Sequence, residues 1–312
     1  MENQNKKALI RNKRLLVILV ASFLIVLIIL ECLYSLGAVS FSFSNFLDET
    51  FNVSAVNNRS TLVQFVSVGQ GDCTIIKEKD KCAVIDFGPE DDTKAVYKAL
   101  RRLGVEDIDL AVVTHLHKDH FGGFLNLPKQ INIKNIIVSK SGGDDTDEVL
   151  AKEFYGEIEK HNINLIEPYV GLKESFESGS LEILYMNENS NEENNRSLFI
   201  SVIIDNVRFL FTGDANSDTE HDFLNKHQNF KTNILKLGHH GSGSSSSGEF
   251  IEKLSPILTI ASCGYNNYYN HPSSKTILNL NDKNVKYLRT DLDGDITVDF
   301  LEDKVTITTK RR

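Results

Sequence analysis

Thr114-His115-Leu116-His117-Lys118-Asp119-His120-Phe121-Gly122-Gly123 holds three histidines and an aspartate within six residues, from His115 to His120. Packing does not call for such density. A neutral imidazole offers a nitrogen lone pair to a borderline cation, and a carboxylate adds an oxygen. His115 and His117, at alternate positions, can converge on one ion. Asp119 and His120 are adjacent, so their side chains diverge and can reach a second. The bland alternative is a solvated loop that happens to be His-rich, which leaves the tight spacing without a reason. Upstream, residues 108–114 are an apolar β-run. The cluster therefore sits on the loop after a strand, where α/β folds place their chemistry. Downstream, Gly122 and Gly123 let the backbone pass close to the site.

The same arrangement recurs along the chain. Residues 62–68 alternate as a strand, and Gly69 to Asp72 make a turn. Residues 73–77 and 82–87 read as hairpin arms, with Lys77 opposite Cys82, Cys73 opposite Asp86, and Asp86 at the tip. Residues 197–204 and 207–211 form another hairpin, which ends on Thr212-Gly213-Asp214. The strand 233–237 runs into Gly238-His239-His240-Gly241-Ser242, and the strand 257–262 into a polar loop holding His271. Further strands are expected at 133–139, 181–185, 285–289, 295–300 and 304–308, and helices at 94–103, 148–161, 218–227 and 249–254. Asp86, His115, Asp214, His239 and His271 thus all lie at or after C-terminal strand ends, which is how one fold gathers distant ligands into one pocket. By composition the run Ser244 to Ser247 reads as a flexible linker. Alternatively, the capped N-terminus of the helix after it could hold a phosphate.

The chain has 312 residues, enough for one large domain or two small ones, and a net charge of −9. Residues 1–40 hold Lys6, Lys7, Arg11, Lys13 and Arg14 against Glu2 and Glu31, a surplus of three positive charges, which leaves −12 for the rest. So acidic a domain carries no sequence-wide basic footprint for nucleic acid. Any anionic substrate must be held by metal and local donors. Cys32, Cys73, Cys82 and Cys263 fit neither a zinc ribbon nor a disulfide framework, and Cys73 and Cys82 read as buried free thiols. A bridge between those two is the minority alternative for an extracytoplasmic domain.

Residues 1–14 are polar and basic, and an apolar stretch follows over 15–36, broken mainly by Ser22 and Glu31. It approaches the length of a bilayer span. The basic flank sets the N-terminus inside and the remainder outside, as a signal-anchor. A cleaved signal peptide is the rival; Gly37-Ala38-Val39-Ser40 would be a weak cleavage site. Residues 37–60, rich in Asn, Ser and Phe, read as a linker to a globular domain over 61–312.

His115-Leu-His117-Lys-Asp119-His120 with Gly122-Gly123 resembles the signature of the metallo-β-lactamase superfamily. The ordered set Val66 to Asp72, Ile85 to Gly88, Asn194 to Ser197, Leu210 to Asp214, Leu237 to Ser242, His271-Pro272 and Arg289 to Gly294 is similar, more narrowly, to the C-terminal extracytoplasmic domain of ComEC-type competence proteins. The similarity covers roughly residues 60–302, and the long polytopic region of those proteins has no counterpart. The resemblance implies an α/β fold, an αββα metallo-β-lactamase sandwich, here preceded by one transmembrane helix.

It also implies two divalent cations, zinc or manganese. His115 and His117 would bind the first, Asp119 and His120 the second, with Asp214 bridging and His271 as the last histidine. Asp86 would orient a ligand imidazole. One departure stands out: no histidine lies between His161 and His221, where the family supplies a third imidazole to the first metal. Asn194, Asn195 and Ser197 stand there instead. The first site would then be weak, only partly occupied, or completed by His239 or His240, and oxygen-rich coordination would favour manganese. β-Lactamase activity is not expected.

The implied chemistry is hydrolysis by a bridging hydroxide, with Asp119 and His240 catalytic, the latter as general acid. Asn195, Ser197, His239 and Ser242 are the residues expected to touch substrate. A phosphodiester is the favoured substrate, nucleic acid outside the cell among them. A small ester, lactone or cell-wall phosphodiester, or a noncatalytic membrane-anchored binding module, stays open. No protein partner can be deduced.

Overall fold

Alternation decides the architecture. Val63, Phe65, Ile76, Ala83, Ile85, Leu110 and Val112 recur at every second position of their strands and point to one buried face. Leu181, Ile183, Ile200, Val202, Ile204, Phe209, Phe211, Ile234 and Ile260 do the same later in the chain and join that core. Two sheets therefore close on each other. We describe a computed structural model that defines residues 61–140, 142–301 and 304–310.

In chain order the strands are β1 (Thr61–Phe65), β2 (Cys73–Glu78), β3 (Lys81–Phe87), β4 (Asp107–Val113), β5 (Asn132–Val138), β6 (Asn164–Ile166), β7 (Lys173–Ser175) and β8 (Gly179–Tyr185). They continue with β9 (Phe199–Ile204), β10 (Val207–Phe211), β11 (Ile234–Lys236), β12 (Leu258–Ala261), β13 (Lys286–Arg289), β14 (Asp295–Leu301) and β15 (Lys304–Lys310). One sheet runs β15-β14-β1-β2-β3-β4-β5-β6 and the other β13-β12-β11-β10-β9-β8-β7. Each is mixed: β3 to β6 and β10 to β13 are parallel, and the remaining pairs antiparallel. Phe65 stacks on Phe211 at 5.9 Å across the interface, where burying each such ring is worth about 1.5–3 kcal/mol.

The helices are α1 (Thr93–Arg102), α2 (Lys118–Phe121), α3 (Glu148–Lys160), α4 (Ser217–Lys226), α5 (Gly248–Leu254), α6 (Ser274–Asp282) and α7 (Thr290–Asp293). Residues on the other face of the second sheet, Phe199, Leu210, Leu235 and Ala261, pack with Phe223 of α4, Phe250 of α5 and Leu280 of α6. On the opposite side Phe154 of α3 meets Phe121 at 5.0 Å and Phe124 at 4.7 Å, and Phe124 meets Phe87 at 5.4 Å. The result is the αββα layering that the resemblance implies.

The strand and helix assignments survive with shifts of a few residues. Lys77 lies opposite Cys82 as expected, but a bulge between Cys73 and Thr74 sets Cys73 opposite Phe87 rather than Asp86. Cys73, Cys82 and Cys263 are buried free thiols. Five short elements escaped the sequence: β6 and β7, whose mostly exposed three-residue spans carry no alternation, the four-residue helices α2 and α7, and α6. In α6 only Thr276 and Leu280 are buried, too few to mark a periodic face. The residues 244–247 are no flexible linker, because Ser245 and Ser246 are buried. No described helix is long and apolar enough to cross a membrane. The expected basic segment 1–14, anchor 15–36 and linker 37–60 lie outside the described residues.

Candidate metal centre

Four imidazoles converge at the ends of β4 and β11, and each has one nitrogen turned inward and the other held. His115 Nε2 and His117 Nδ1 face each other at 3.2 Å. His120 Nε2 lies 3.2 Å from Asp214 Oδ1, yet both atoms are buried without a hydrogen-bond partner. His240 Nε2 stands 3.1 Å from Asp119 Oδ2 and 3.4 Å from Asp214 Oδ2. Ligand atoms of Asp72, His120, Asp214 and His240 all fall within 4.8 Å of one another. A buried imidazole nitrogen and carboxylate oxygen left unbonded, as His120 Nε2 and Asp214 Oδ1 are, are costly unless a cation joins them. The residues present therefore fit divalent metal.

The outer nitrogens explain the local sequence. Asp86 closes β3 with φ +57°, a left-handed turn unusual for a residue with a Cβ. That turn aims its carboxylate at the Thr114 N–H and hydroxyl and at His120 Nδ1, all at 2.8 Å. Thr114 Oγ1 also lies 3.2 Å from His115 Nδ1, so one carboxylate organises both halves of the centre. Asp145 reaches His117 Nε2 at 3.2 Å. His240 Nδ1 is held at 3.0 Å by both Asp72 and the Ser262 carbonyl. Such outer partners fix which nitrogen is free to bind metal. Gly123 lets the ligand loop lie on the end of β3, since a Cβ there would meet the Phe87 carbonyl oxygen at 2.1 Å.

Electrostatics follow from burial and packing. Burial opposes the charge on Asp72, but Lys236 and His240 outweigh it and bring the carboxyl down to about 2. Burial likewise opposes the charges on Asp119 and Asp214, and the neighbouring His240 and His120 hold both well below the usual carboxylate range. Asp86 is raised by burial in spite of His120. His120 and His240 resist burial and sit above the ordinary imidazole value, Asp214 being the main cause, with Asp86 and Asp72 respectively. Burial, with His120 beside it, pushes His115 well down. Without metal, imidazolium protons thus hold the carboxylates together.

The other expected residues divide. A cavity of about 400 Å³ opens over the centre, lined by His117, Lys118, Asp119, Asn194, His239 and Tyr269 among others. His239 is part-exposed there, 3.6 Å from Asp214. His271 also lines it, but its ring centre is 6.4 Å from that of His240, and it stands outside the group of four. Burial pushes His271 down to about 4, and its Nδ1 has no hydrogen-bond partner.

Asn195, Ser197 and Ser242, expected to touch substrate, do not line the cavity. Asn195 accepts the Asn216 N–H at 3.0 Å, Ser197 Oγ accepts the Asp214 N–H at 2.9 Å, and Ser242 Oγ pairs with Ser244 Oγ at 2.9 Å. Asn194 faces the cavity in their place, its Oδ1 unpartnered. The helix α5 has no free N-terminus for phosphate. Its Ser247 side chain caps Phe250 N–H, and the buried Glu220 carboxylate takes the N–H groups of Ser246 and Ser247.

Several functional groups went unnoticed in the sequence. Asp72 sat in a stretch quoted only for its resemblance. Asp145 belongs to an acidic turn that looks merely solvated. Glu193, buried in a polar stretch, accepts from Leu116 N–H at 2.9 Å and from Thr146 Oγ1 at 2.7 Å, which ties the Asp145 loop to the ligand loop.

Fold and centre together define the class. The chain belongs to the metallo-beta-lactamase superfamily, whose profile matches residues 66–257. It is a metal-dependent hydrolase of that fold, related to competence proteins. It is 30% identical over 211 residues to ComE operon protein 3 of Bacillus subtilis, covering 65% of this chain and 26% of the relative. It is 29% identical over 248 residues to competence protein ComA of Neisseria gonorrhoeae, covering 78% and 33%. The chain thus spans about a quarter to a third of the length of these curated relatives. Among solved structures, Igni18, a metallo hydrolase from Ignicoccus hospitalis, superposes with a TM-score of 0.51 at 14% identity over 78% of this chain and 100% of its own. CmlA, a diiron beta-hydroxylase from Streptomyces venezuelae, gives 0.52 at 13% identity over 78% and 54%. At that identity the likeness concerns the fold alone.

Proposed function

We propose that the chain is a phosphodiesterase working on two divalent cations, zinc or manganese, with nucleic acid the favoured substrate. The observation that carries the two-cation reading is the convergence of His115 Nε2 and His117 Nδ1 at one point and of His120 Nε2 and Asp214 Oδ1 at another, the latter two atoms buried without a hydrogen-bond partner. When bound, two cations lower the pKa of water and offset charge growing on the attacked centre. His115 and His117 would hold one cation and Asp119, His120 and His240 the other, with Asp214 the carboxylate that would serve both. The first position has no third imidazole, and Asn194 Oδ1 is an unpartnered oxygen of a residue on the cavity wall.

His240 passes from general acid to ligand in this reading, because it is buried with both nitrogens engaged. His271 and His239, which face the cavity, are the groups free to meet substrate or deliver a proton. The phosphodiester preference is supported by the competence-protein relatives. The acidic cavity, with Asp119, Asp145, Asp147 and Asp214 against Lys118, is suited to a polyanion only when cations are bound.

The test combines metal analysis with turnover of bis-p-nitrophenyl phosphate, single-stranded and duplex DNA, and lactones. Asp119→Ala and His120→Ala should lose at least about 10³-fold in kcat and keep the fold by circular dichroism. Full activity of either variant with added Mn²⁺ sinks the proposal. We also propose that residues 15–36 anchor the domain outside the cytoplasm. Protection from external protease in intact cells would overturn that topology.

A further inference from the structure

We propose that Lys236 is a positioning residue for the metal centre: from the second sheet it clamps Asp72 as the outer partner of His240 and keeps that carboxylate from serving as a ligand.

The side chain is out of place by the pattern of its own strand. In β11, Ile234 points into the core between the sheets and Leu235 outward to the helices. Period two sends Lys236 back between the sheets, where the pattern calls for an apolar residue. It is 2% exposed. An ammonium so placed is expensive unless paired, so its partners carry the reason for it. Nζ lies 2.6 Å from Asp72 Oδ2 and 2.9 Å from the Leu237 carbonyl oxygen, two residues before His239. The other oxygen, Asp72 Oδ1, is 3.0 Å from His240 Nδ1. The lysine thus spans from the second sheet to the first and turns one oxygen of Asp72 away from the centre.

The backbone of Asp72 is fixed as well. Its N–H donates to the Asp119 carbonyl at 3.1 Å, and its carbonyl accepts the Gly88 N–H at 2.7 Å. The preceding Gly71 could not carry a Cβ, which would meet the Asp119 carbonyl oxygen at 2.4 Å. A carboxylate this close to His120, Asp214 and His240 is a ligand by distance. Clamped by Lys236, it instead accepts from Nδ1 and leaves His240 Nε2 bare toward the centre. That choice sets the number of oxygens around the second cation and, together with the Ser262 carbonyl 3.0 Å from Nδ1, the tautomer of its histidine.

The inference rests on His240 being a ligand, so the experiment includes that control. On the full chain, Zn²⁺ affinity is measured by chelator competition, and Co²⁺ is substituted to read the visible ligand-field spectrum. His240→Ala should weaken Zn²⁺ binding; if it does not, the ligand reading fails. Given that loss, Lys236→Met should weaken Zn²⁺ binding by about 10–100-fold and change the Co²⁺ spectrum as Asp72 enters or reorients. The double variant Lys236→Met/Asp72→Asn removes both buried charges and guards against a single variant that does not fold. It should bind Zn²⁺ no more weakly than Asp72→Asn alone, because the lysine acts through the aspartate. Lys236→Met with wild-type affinity and spectrum, lowering only the melting temperature, would overturn the proposal. So would a double variant whose losses are simply additive.

Discussion

Replacing Asp86 by asparagine separates the fold of this centre from its function. Asp86 accepts three bonds, from the Thr114 N–H, the Thr114 hydroxyl and His120 Nδ1, each at 2.8 Å. In Asp86→Asn the amide oxygen keeps the Thr114 N–H. The amide nitrogen faces Thr114 Oγ1 and His120 Nδ1 and now donates. The hydroxyl can rotate to accept. His120 must then present a lone pair at Nδ1, so it gives up the proton there and keeps its only one on Nε2, the atom 3.2 Å from Asp214 Oδ1. That proton fills the gap which metal would otherwise fill.

The metal-free variant should therefore lie within about 1 kcal/mol of wild type, since no buried donor loses its partner. Metal affinity should fall by about 10–100-fold. At saturating metal that removes about 1.4–2.8 kcal/mol of ligand stabilisation. For a domain of this size the metal-induced rise in Tm shrinks by about 3–10 °C. The assay is thermal melting with and without Zn²⁺, alongside chelator competition. Asp86→Ala, which strands three donors, should by contrast lose about 3–5 kcal/mol even without metal. Wild-type metal affinity in Asp86→Asn would refute the tautomer argument.

Two further outcomes follow from the electrostatics. Asp214, with Asp86 or Asp72, raises His120 and His240 above the ordinary imidazole value against burial, so metal must displace their protons at neutral pH. Calorimetric titration of Zn²⁺ in two buffers of different ionisation enthalpy should report at least about one proton released as the position held by His120 and His240 fills, and none released would contradict it. Burial pushes Glu220 up to about 7, against two backbone N–H groups that pull it down. A carboxyl raised in the folded state stabilises fully below its unfolded value and loses that stabilisation as pH rises through about 7. Glu220→Gln does not titrate, so wild type should lose up to about 3 kcal/mol relative to it between pH 4.5 and 7.5. A stability difference that stays constant across that window would count against this.

The sandwich and half of the centre were legible because they depend on local pattern. Alternation alone marks Val63, Phe65, Phe209 and Phe211 as facing inward, and spacing alone brings His115 to His120 together. The rest depends on backbone that pattern does not encode. His239 and His240 both adopt left-handed φ, 49° and 55°, and this double turn is what drives His240 inward and leaves His271 at the rim. A sequence offers two histidines after two strands and no means to rank them. Ser197 follows the same logic: as a hydroxyl beside the site it invites a substrate role, but the left-handed Gly213 turn brings the Asp214 N–H onto it. Lys236 was the one such signal open to reading, a single charge inside the apolar run Ile234-Leu235-Lys236-Leu237.

The ligands come from both halves of the chain. His115, His117, Asp119 and His120 follow a strand of the first sheet, and Asp214 and His240 follow strands of the second. A ribosome that has delivered residue 200 has released every residue of the opening cluster and none that closes the centre. Metal capture on this design is therefore a late event in the life of the chain, and a filled centre certifies that both sheets have been made and have met.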